Sequence, residues 1–464
     1  MRDRVNSWID AHKDELVNDI IDLCSIDSVK GEAKEGMPFG EGPYRALSRA
    51  MEIVSGYGFE TKNYDNYVGV ADFDTSLPRS LDILAHTDVV PAGEGWTVTE
   101  PFKPIVKDGK IYGRGTSDDK GPLMCALYAM RALKESGVEL KKGVRLIMGS
   151  DEECGSGDIE KYYAVEDEAE MTFSPDAEFP LINIEKGHFN GTLSQDFNES
   201  TALPRVTFMQ AGVAANAVPQ KAVVRFEGLD FDSVADVIKA VETECSVSIE
   251  KTADGELTVV GTGAHASTPE LGKNAGLAAI VLISRLPLAD SEQFSLLKKI
   301  PTLFPYGVTD GSGLGIKMCD EESHDLTNTL DLYSITPTHI EFTFDSRTPV
   351  MATKENCWDV AEKSVVEAGF KFETAGMIAP HVVPGDSEFV QTLLKSYENV
   401  TGLKGECLAI GGGTYVHELK NGVAFGAVLP DIDTKMHGAD EFFGIDNIII
   451  ATKVYAEAIL NLCA

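Results

Sequence analysis

Basic residues are scarce in this sequence: 40 Lys and Arg stand against 74 Asp and Glu, a formal net charge of −34. No local cluster of Lys and Arg offsets that balance, so the chain lacks the positive face that nucleic-acid backbones and anionic membranes require. Long hydrophobic runs are missing as well. None approaches the roughly 18 to 20 apolar residues of a membrane span. The N-terminal stretch MRDRVNSWIDAHKDELVNDII is charged throughout, without the basic, apolar and small-residue regions of a signal peptide. The eight cysteines are scattered, with no CxxC and no framework spacing, which points to a reducing cytoplasm and away from a thiolate metal site. Any metal is therefore left to His and carboxylates.

What is present suffices for several packed cores. At 464 residues with 43% hydrophobic content, the chain exceeds the size at which one core stops growing, so two or three domains are expected. Apolar residues at helical spacing from Arg2 to Cys24 predict an amphipathic first helix, and residues 44–57 a second. Short strand-like runs at 60–64, 67–73, 81–85, 143–150 and 170–174 alternate with helix-like stretches, and acids gather just beyond several of the strand ends. That pattern describes an open, mostly parallel α/β sheet with its site at the carboxyl edge. Between 188 and 380 the pattern changes to alternating strands of an α+β domain with a mainly antiparallel sheet. After Pro380 the α/β style resumes. The expected organisation is a catalytic domain of 1–187 and 381–464 interrupted by an inserted lid at 188–380. Val218-Pro219 followed by Phe226 is echoed by Thr336-Pro337 followed by Phe344, which suggests an internal duplication of the insert.

The stretch GRGTSDDKGP at 113–122 organises the rest. Asp118 and Asp119 precede an apolar helix and could simply cap it. Their company argues otherwise: HTD at 86–88, DEE at 151–153, SPDAE at 174–178 and MHGADE at 436–441 together supply oxygen and nitrogen ligands enough for two metal ions. On the strand ending at 86–88, His86 and Asp88 point the same way, so Asp88 can accept the second imidazole N–H and fix the ring.

In order along the chain, LAHTDVVPAGEGW, GKIYGRGTSDDKGP, GSDEECGSGD, FSPDAEFP and MHGADE resemble the successive signatures of the co-catalytic zinc exopeptidases, a superfamily that includes aminoacylase, carboxypeptidase G and carnosinase. MPFGEGP, the enlarged insert and GGGTY point to its bacterial dipeptidase V branch. The resemblance implies that Asp118 bridges two divalent ions, one also held by His86 and Asp176, the other by Glu153 and His437. Zinc is the metal it implies, with manganese or cobalt as alternatives. It further implies that Glu152 is the general base for a metal-bridging hydroxide and that His265 stabilises the oxyanion. Asn216 and Arg347 would hold the substrate's terminal carboxylate, with Thr414 adding a hydrogen bond. Asp119 is left to position the turn and the following helix. The expected activity is hydrolysis of short peptides with a free C-terminal carboxylate by a cytoplasmic monomer. An N-acyl amino acid hydrolase with the same ligands is the alternative, and a non-catalytic metal-binding protein the third reading.

Overall fold

Apolar spacing over residues 2–24 yields two helices, Arg2–Ala11 and Lys13–Cys24, where one was expected. In the computed structural model, which describes residues 1–464, His12 leaves helical geometry between them at φ −104° and ψ 14°. Its ring stacks on Trp8 with centroids 3.7 Å apart, and its Nδ1–H donates to the Trp8 carbonyl oxygen at 2.7 Å. Such a local side-chain bond competes with the helical ladder.

The chain folds into two units. The first comprises Met1–Ile184, Val382–Leu408 and Gly413–Ala464; the second comprises Glu185–His381 and the short Ala409–Gly412. In the first unit, a nine-stranded sheet has the parallel strands Gly143–Gly149, Arg79–His86, Met171–Ser174 and Gly422–Ala424 side by side at its centre. The strand Arg79–His86 is buried at every position but its first, as expected of a parallel strand covered on both faces. The flanks are antiparallel: Glu60–Tyr64 pairs with Val68–Asp72, which pairs with Gly143–Gly149, and Leu181–Glu185 pairs with Gly422–Ala424 on the other side. Helix Lys120–Glu135 is buried from Lys120 to Leu133 and packs against Ile445–Cys463. Each buried Leu, Ile or Phe there contributes about 1.5–3 kcal/mol. No helix is long and apolar enough to cross a membrane.

The second unit holds an eight-stranded sheet in the order Ser248–Ala253, Glu256–Val260, Lys221–Glu227, Arg205–Ala211, Thr327–Ile335, His339–Thr348, Gly187–Asp196, Lys371–Thr374. All neighbours are antiparallel. Counted outward from the centre, Arg205–Ala211, Lys221–Glu227, helix Ala235–Cys245 and Ser248–Ala253 succeed one another in chain order just as Thr327–Ile335, His339–Thr348, helix Asp359–Glu367 and Lys371–Thr374 do. The remaining place in each half is filled by Glu256–Val260 and by Gly187–Asp196. Phe226 and Phe344 lie on corresponding strands, so the echo read in the sequence has a counterpart in topology. Phe189, Leu193, Leu330, Phe342 and Phe344 belong to this unit's apolar core. Neighbouring register positions are polar: Asp345 lies opposite Asn190 and Thr329, and Arg347 opposite His188 and Thr327. Between Leu330 and Leu332 the pairing with His339–Thr348 shifts by one, leaving Asp331 on a β-bulge.

Candidate active site

The central strands of the first unit deliver the functional side chains at their carboxyl ends. Strand Arg79–His86 terminates on His86, Gly143–Gly149 leads into the 3₁₀ turn Glu152–Cys154, and Met171–Ser174 leads to Asp176. Gly149 is required by a close approach: a Cβ there would lie 2.0 Å from the Tyr415 hydroxyl oxygen. The Asp118-Asp119 peptide is cis. Asp119 occupies the N-cap position of helix Lys120–Glu135 but makes no side-chain cap bond. Its Oδ2 instead accepts the backbone N–H of His86 at 3.0 Å, so it positions the strand end and not the helix.

Two ligand groups meet on Asp118. His86 Nε2 lies 3.1 Å from Asp118 Oδ1 and 3.5 Å from Asp176 Oδ2. His437 Nε2 lies 2.7 Å from Asp118 Oδ2 and 3.3 Å from Glu153 Oε2. Within each triad, His86–Asp118–Asp176 and Asp118–Glu153–His437, one donor atom per residue lies within 4.8 Å of the others. His86 Nδ1 is 3.1 Å from the Asp88 carbonyl oxygen and 3.4 Å from Asp88 Oδ1. The backbone carbonyl thus orients the ring more closely than the carboxylate does. That carboxylate accepts the N–H groups of Glu152 (3.2 Å) and Glu153 (3.1 Å), fixing the turn that carries both glutamates.

The electrostatics call for added positive charge. Burial, followed by the charge of Asp176, pushes the Glu152 and Asp119 carboxyls well above the carboxylate range. Burial and Asp118 together push Glu153 up to about 7. Burial works against the charged form of Asp118 too, yet its hydrogen bonds with His437 and His86 outweigh it and hold this carboxyl below its usual range. Glu153 Oε1 and Asp119 Oδ1 are buried without a hydrogen-bond partner. Acceptor-rich carboxylates crowded around two imidazoles fit divalent cations of the zinc, manganese and cobalt type.

In the second unit, Asn216, His265 and Arg347 are linked through short contacts. Ala217 pairs with His265 in a small antiparallel ribbon, and the Asn216 carbonyl oxygen accepts the Ala266 N–H at 2.8 Å. His265 Nδ1 is 2.7 Å from the Ser267 hydroxyl oxygen. Arg347 donates through Nε and Nη2 to the two Asp345 carboxylate oxygens at 2.7 and 3.0 Å, and through Nη1 to the Gly411 carbonyl oxygen at 2.7 Å. Gly411 closes the group, since a Cβ on it would lie 2.7 Å from the Ser267 Cβ. Thr414 belongs to the first unit, where it caps the turn Tyr415–Glu418 by accepting the Val416 N–H at 3.3 Å.

Several residues around the site escape a reading by motif. Asp158 Oδ2 accepts the N–H groups of Ser150 and Asp151 and the Tyr415 hydroxyl, and the Tyr415 ring stands edge-on to His86 at 6.2 Å. Lys120 is buried, its ammonium donating to the Ile26 carbonyl oxygen at 2.8 Å, and burial lowers its pKa to about 8. Arg114 and Glu441 form a buried ion pair at 2.6 Å. The available signal for that pair was a charge of each sign inside the GRG and GADE segments.

Residues 83–461 match the family described as Peptidase family M20/M25/M40. The Beta-Ala-Xaa dipeptidase of Lactobacillus delbrueckii subsp. lactis is 35% identical over 464 residues, covering 98% of this chain and 97% of that protein. The putative dipeptidase YtjP of Bacillus subtilis (strain 168) is 35% identical over 462 residues, covering 97% of each. Among solved structures, human carnosine dipeptidase 1 shares the fold with a TM-score of 0.60 at 14% identity, covering 99% of this chain and 98% of that one. The Saccharomyces cerevisiae di-peptidase Dug1p does so with a TM-score of 0.60 at 15% identity, covering 100% and 98%. Extent of match and spacing of the ligand motifs agree, and the chain belongs to peptidase family M20/M25/M40.

Proposed function

We propose that this chain is a metal-dependent dipeptidase that hydrolyses short peptides carrying a free C-terminal carboxylate. The observation that carries this reading is the pair of triads sharing Asp118, with Glu152 on the turn beside them. His86, Asp118 and Asp176 would hold one ion, and Asp118, Glu153 and His437 the other, with zinc as our assignment. When bound, the two cations supply positive charge that polarises the scissile carbonyl and makes a water more acidic. Glu152 accepts the proton of the attacking water and delivers it to the departing amine. Asp88 keeps Glu152 in place through its amide. We assign His265, whose ring is oriented by Ser267, to the developing oxyanion.

Arg347 and Asn216 are assigned to the substrate carboxylate, with Thr414 contributing a further hydrogen bond. Three of the five guanidinium N–H donors of Arg347 are committed to Asp345 and Gly411, so its plane is fixed before substrate arrives. We place the enzyme in the cytoplasm, in keeping with eight free thiols, and read it as a monomer because its second unit supplies both halves of the lid sheet from one chain.

The test is substrate profiling of metal-stripped protein reconstituted separately with Zn²⁺, Mn²⁺ and Co²⁺. Ala-Xaa and β-Ala-Xaa dipeptides should be cleaved, and their C-terminal amides poorly. Faster cleavage of N-acetyl-Xaa than of any dipeptide would make the chain a deacylase instead. Inactivity with all three metals would leave only the non-catalytic reading.

A further inference from the structure

His437 stands on a backbone that an L-residue adopts reluctantly, with φ at +61°, so its orientation has to be imposed by neighbours. The neighbour that reaches it is Arg114, 323 residues away in sequence, whose Nη2 donates to the His437 carbonyl oxygen at 3.1 Å. Arg114 is 1% exposed and Glu441 fully buried, and they are joined by an ion pair at 2.6 Å. Glu441 does more than balance the charge. Its Oε2 accepts the Gly115 N–H at 3.1 Å, and its Oε1 accepts the Ser117 N–H and hydroxyl at 2.9 and 3.1 Å. Those atoms belong to the turn that ends on Asp118. A single buried pair thus ties the turn carrying Asp118 to the turn carrying His437. The adjacent Asp440 fastens the same segment to Thr97 and Val98 through three further bonds of 2.6–2.9 Å.

His86 and Asp176, by contrast, project from the ends of central strands and have no contact with this pair. We propose that Arg114 and Glu441 are positioning residues that set the affinity of the Asp118–Glu153–His437 position for its ion, and that they act more on that position, through the His437 backbone and the Asp118 turn together, than on the His86–Asp118–Asp176 one, which they reach only through the shared Asp118. Neither touches substrate or a ligand atom. Arg114 acts by holding the His437 backbone, and Glu441 by holding Arg114 and the Ser117 amide in register. The inference rests on the ligand assignment given under Proposed function.

Titration of the metal-free full chain with Co²⁺ alone, followed by calorimetry and by visible absorption, tests it without reference to activity. Wild type should take up two equivalents. His437→Ala, the reference variant, should lose or weaken one of them. Arg114→Lys, which keeps a charge for Glu441 but lacks the planar fork, and Glu441→Gln should bind one equivalent with an affinity close to that of wild type. Each should bind the second roughly 10- to 100-fold more weakly, with a residual spectrum like that of His437→Ala. Arg114→Met should weaken the same step more than Arg114→Lys. Unchanged affinity for both equivalents overturns the proposal, as does equal weakening of both, the result of a general loss of packing. Should Arg114→Met not fold, the two conservative variants decide the matter on the same criteria. A wild-type chain that binds fewer than two equivalents would remove the ligand assignment itself, and this inference with it.

Discussion

Replacing Asp331 by Asn should stabilise the second unit at neutral pH and leave it unchanged in acid. Asp331 sits on the bulge of strand Thr327–Ile335 and is fully buried; neither of its carboxylate oxygens makes a hydrogen bond of good geometry, and Thr329, the Arg347 charge and the Asp345 amide offset its burial only in part. Burial first, and the charge of Asp345 second, push its carboxyl up to about 9. In the unfolded chain the same group ionises near a pKa of about 3.9. Because the folded value is the higher one, stability linked to this group is fully present below about pH 4 and is lost as pH rises through the window to about 9. Each pH unit inside the window costs about 1.4 kcal/mol, so by pH 7 the wild type carries a penalty of up to about 4 kcal/mol. Asparagine, similar in shape and unable to ionise, does not carry it. Urea unfolding of both proteins at pH 5.5 and 8.0 reads the effect directly: the advantage of the Asn variant should grow by up to about 3 kcal/mol between the two. Parallel stability profiles would refute the reasoning and show that Asp331 finds a counter-charge in the folded state.

Two further outcomes concern the site. Arg347→Ala should raise KM for dipeptides by roughly 10- to 100-fold, the worth of a charge-assisted hydrogen bond to a carboxylate, with kcat changed far less and with KM for C-terminal amides unaffected; steady-state kinetics on an acid–amide pair checks this, and Arg347→Lys should recover only part of the loss. Chelation should lower the melting temperature of the first unit's transition, and readdition of Zn²⁺ at about 100 times its Kd should restore about 2.7 kcal/mol, a shift visible by calorimetry whether or not substrate is present.

Legibility in the sequence followed the range of the interaction. His86, Asp118, Glu153, Asp176 and His437 were named through the resemblance of the short motifs that carry them, and the structure brings them into two groups that share Asp118; the alternation of strands and helices accounts for several of those strand ends meeting on one edge. The echo from Pro219 to Phe226 and from Pro337 to Phe344 hinted at the two halves of the second sheet. Other features depended on partners no local pattern names. His12 breaks the first helix through its own contact with Trp8. The Asp88 carboxylate serves the amides of Glu152 and Glu153 more than the imidazole, and Asp119 holds the His86 amide where capping was the obvious role. Ala409–Gly412, inside a stretch that reads as a return to the first domain, groups with the second unit, Gly411 accepting from Arg347. Arg114 and Glu441 meet only after folding brings two turns together.

The central claim, that a shared-carboxylate pair of metal positions works with Glu152 as the proton carrier, is tested most directly by Glu152→Gln. The variant should retain two equivalents of metal, measured by elemental analysis after dialysis, while kcat for an Ala-Xaa dipeptide falls by about 10²- to 10⁴-fold. Undiminished turnover would contradict the role of Glu152, and loss of one metal equivalent would mean that Glu152, and not Glu153, is the ligand.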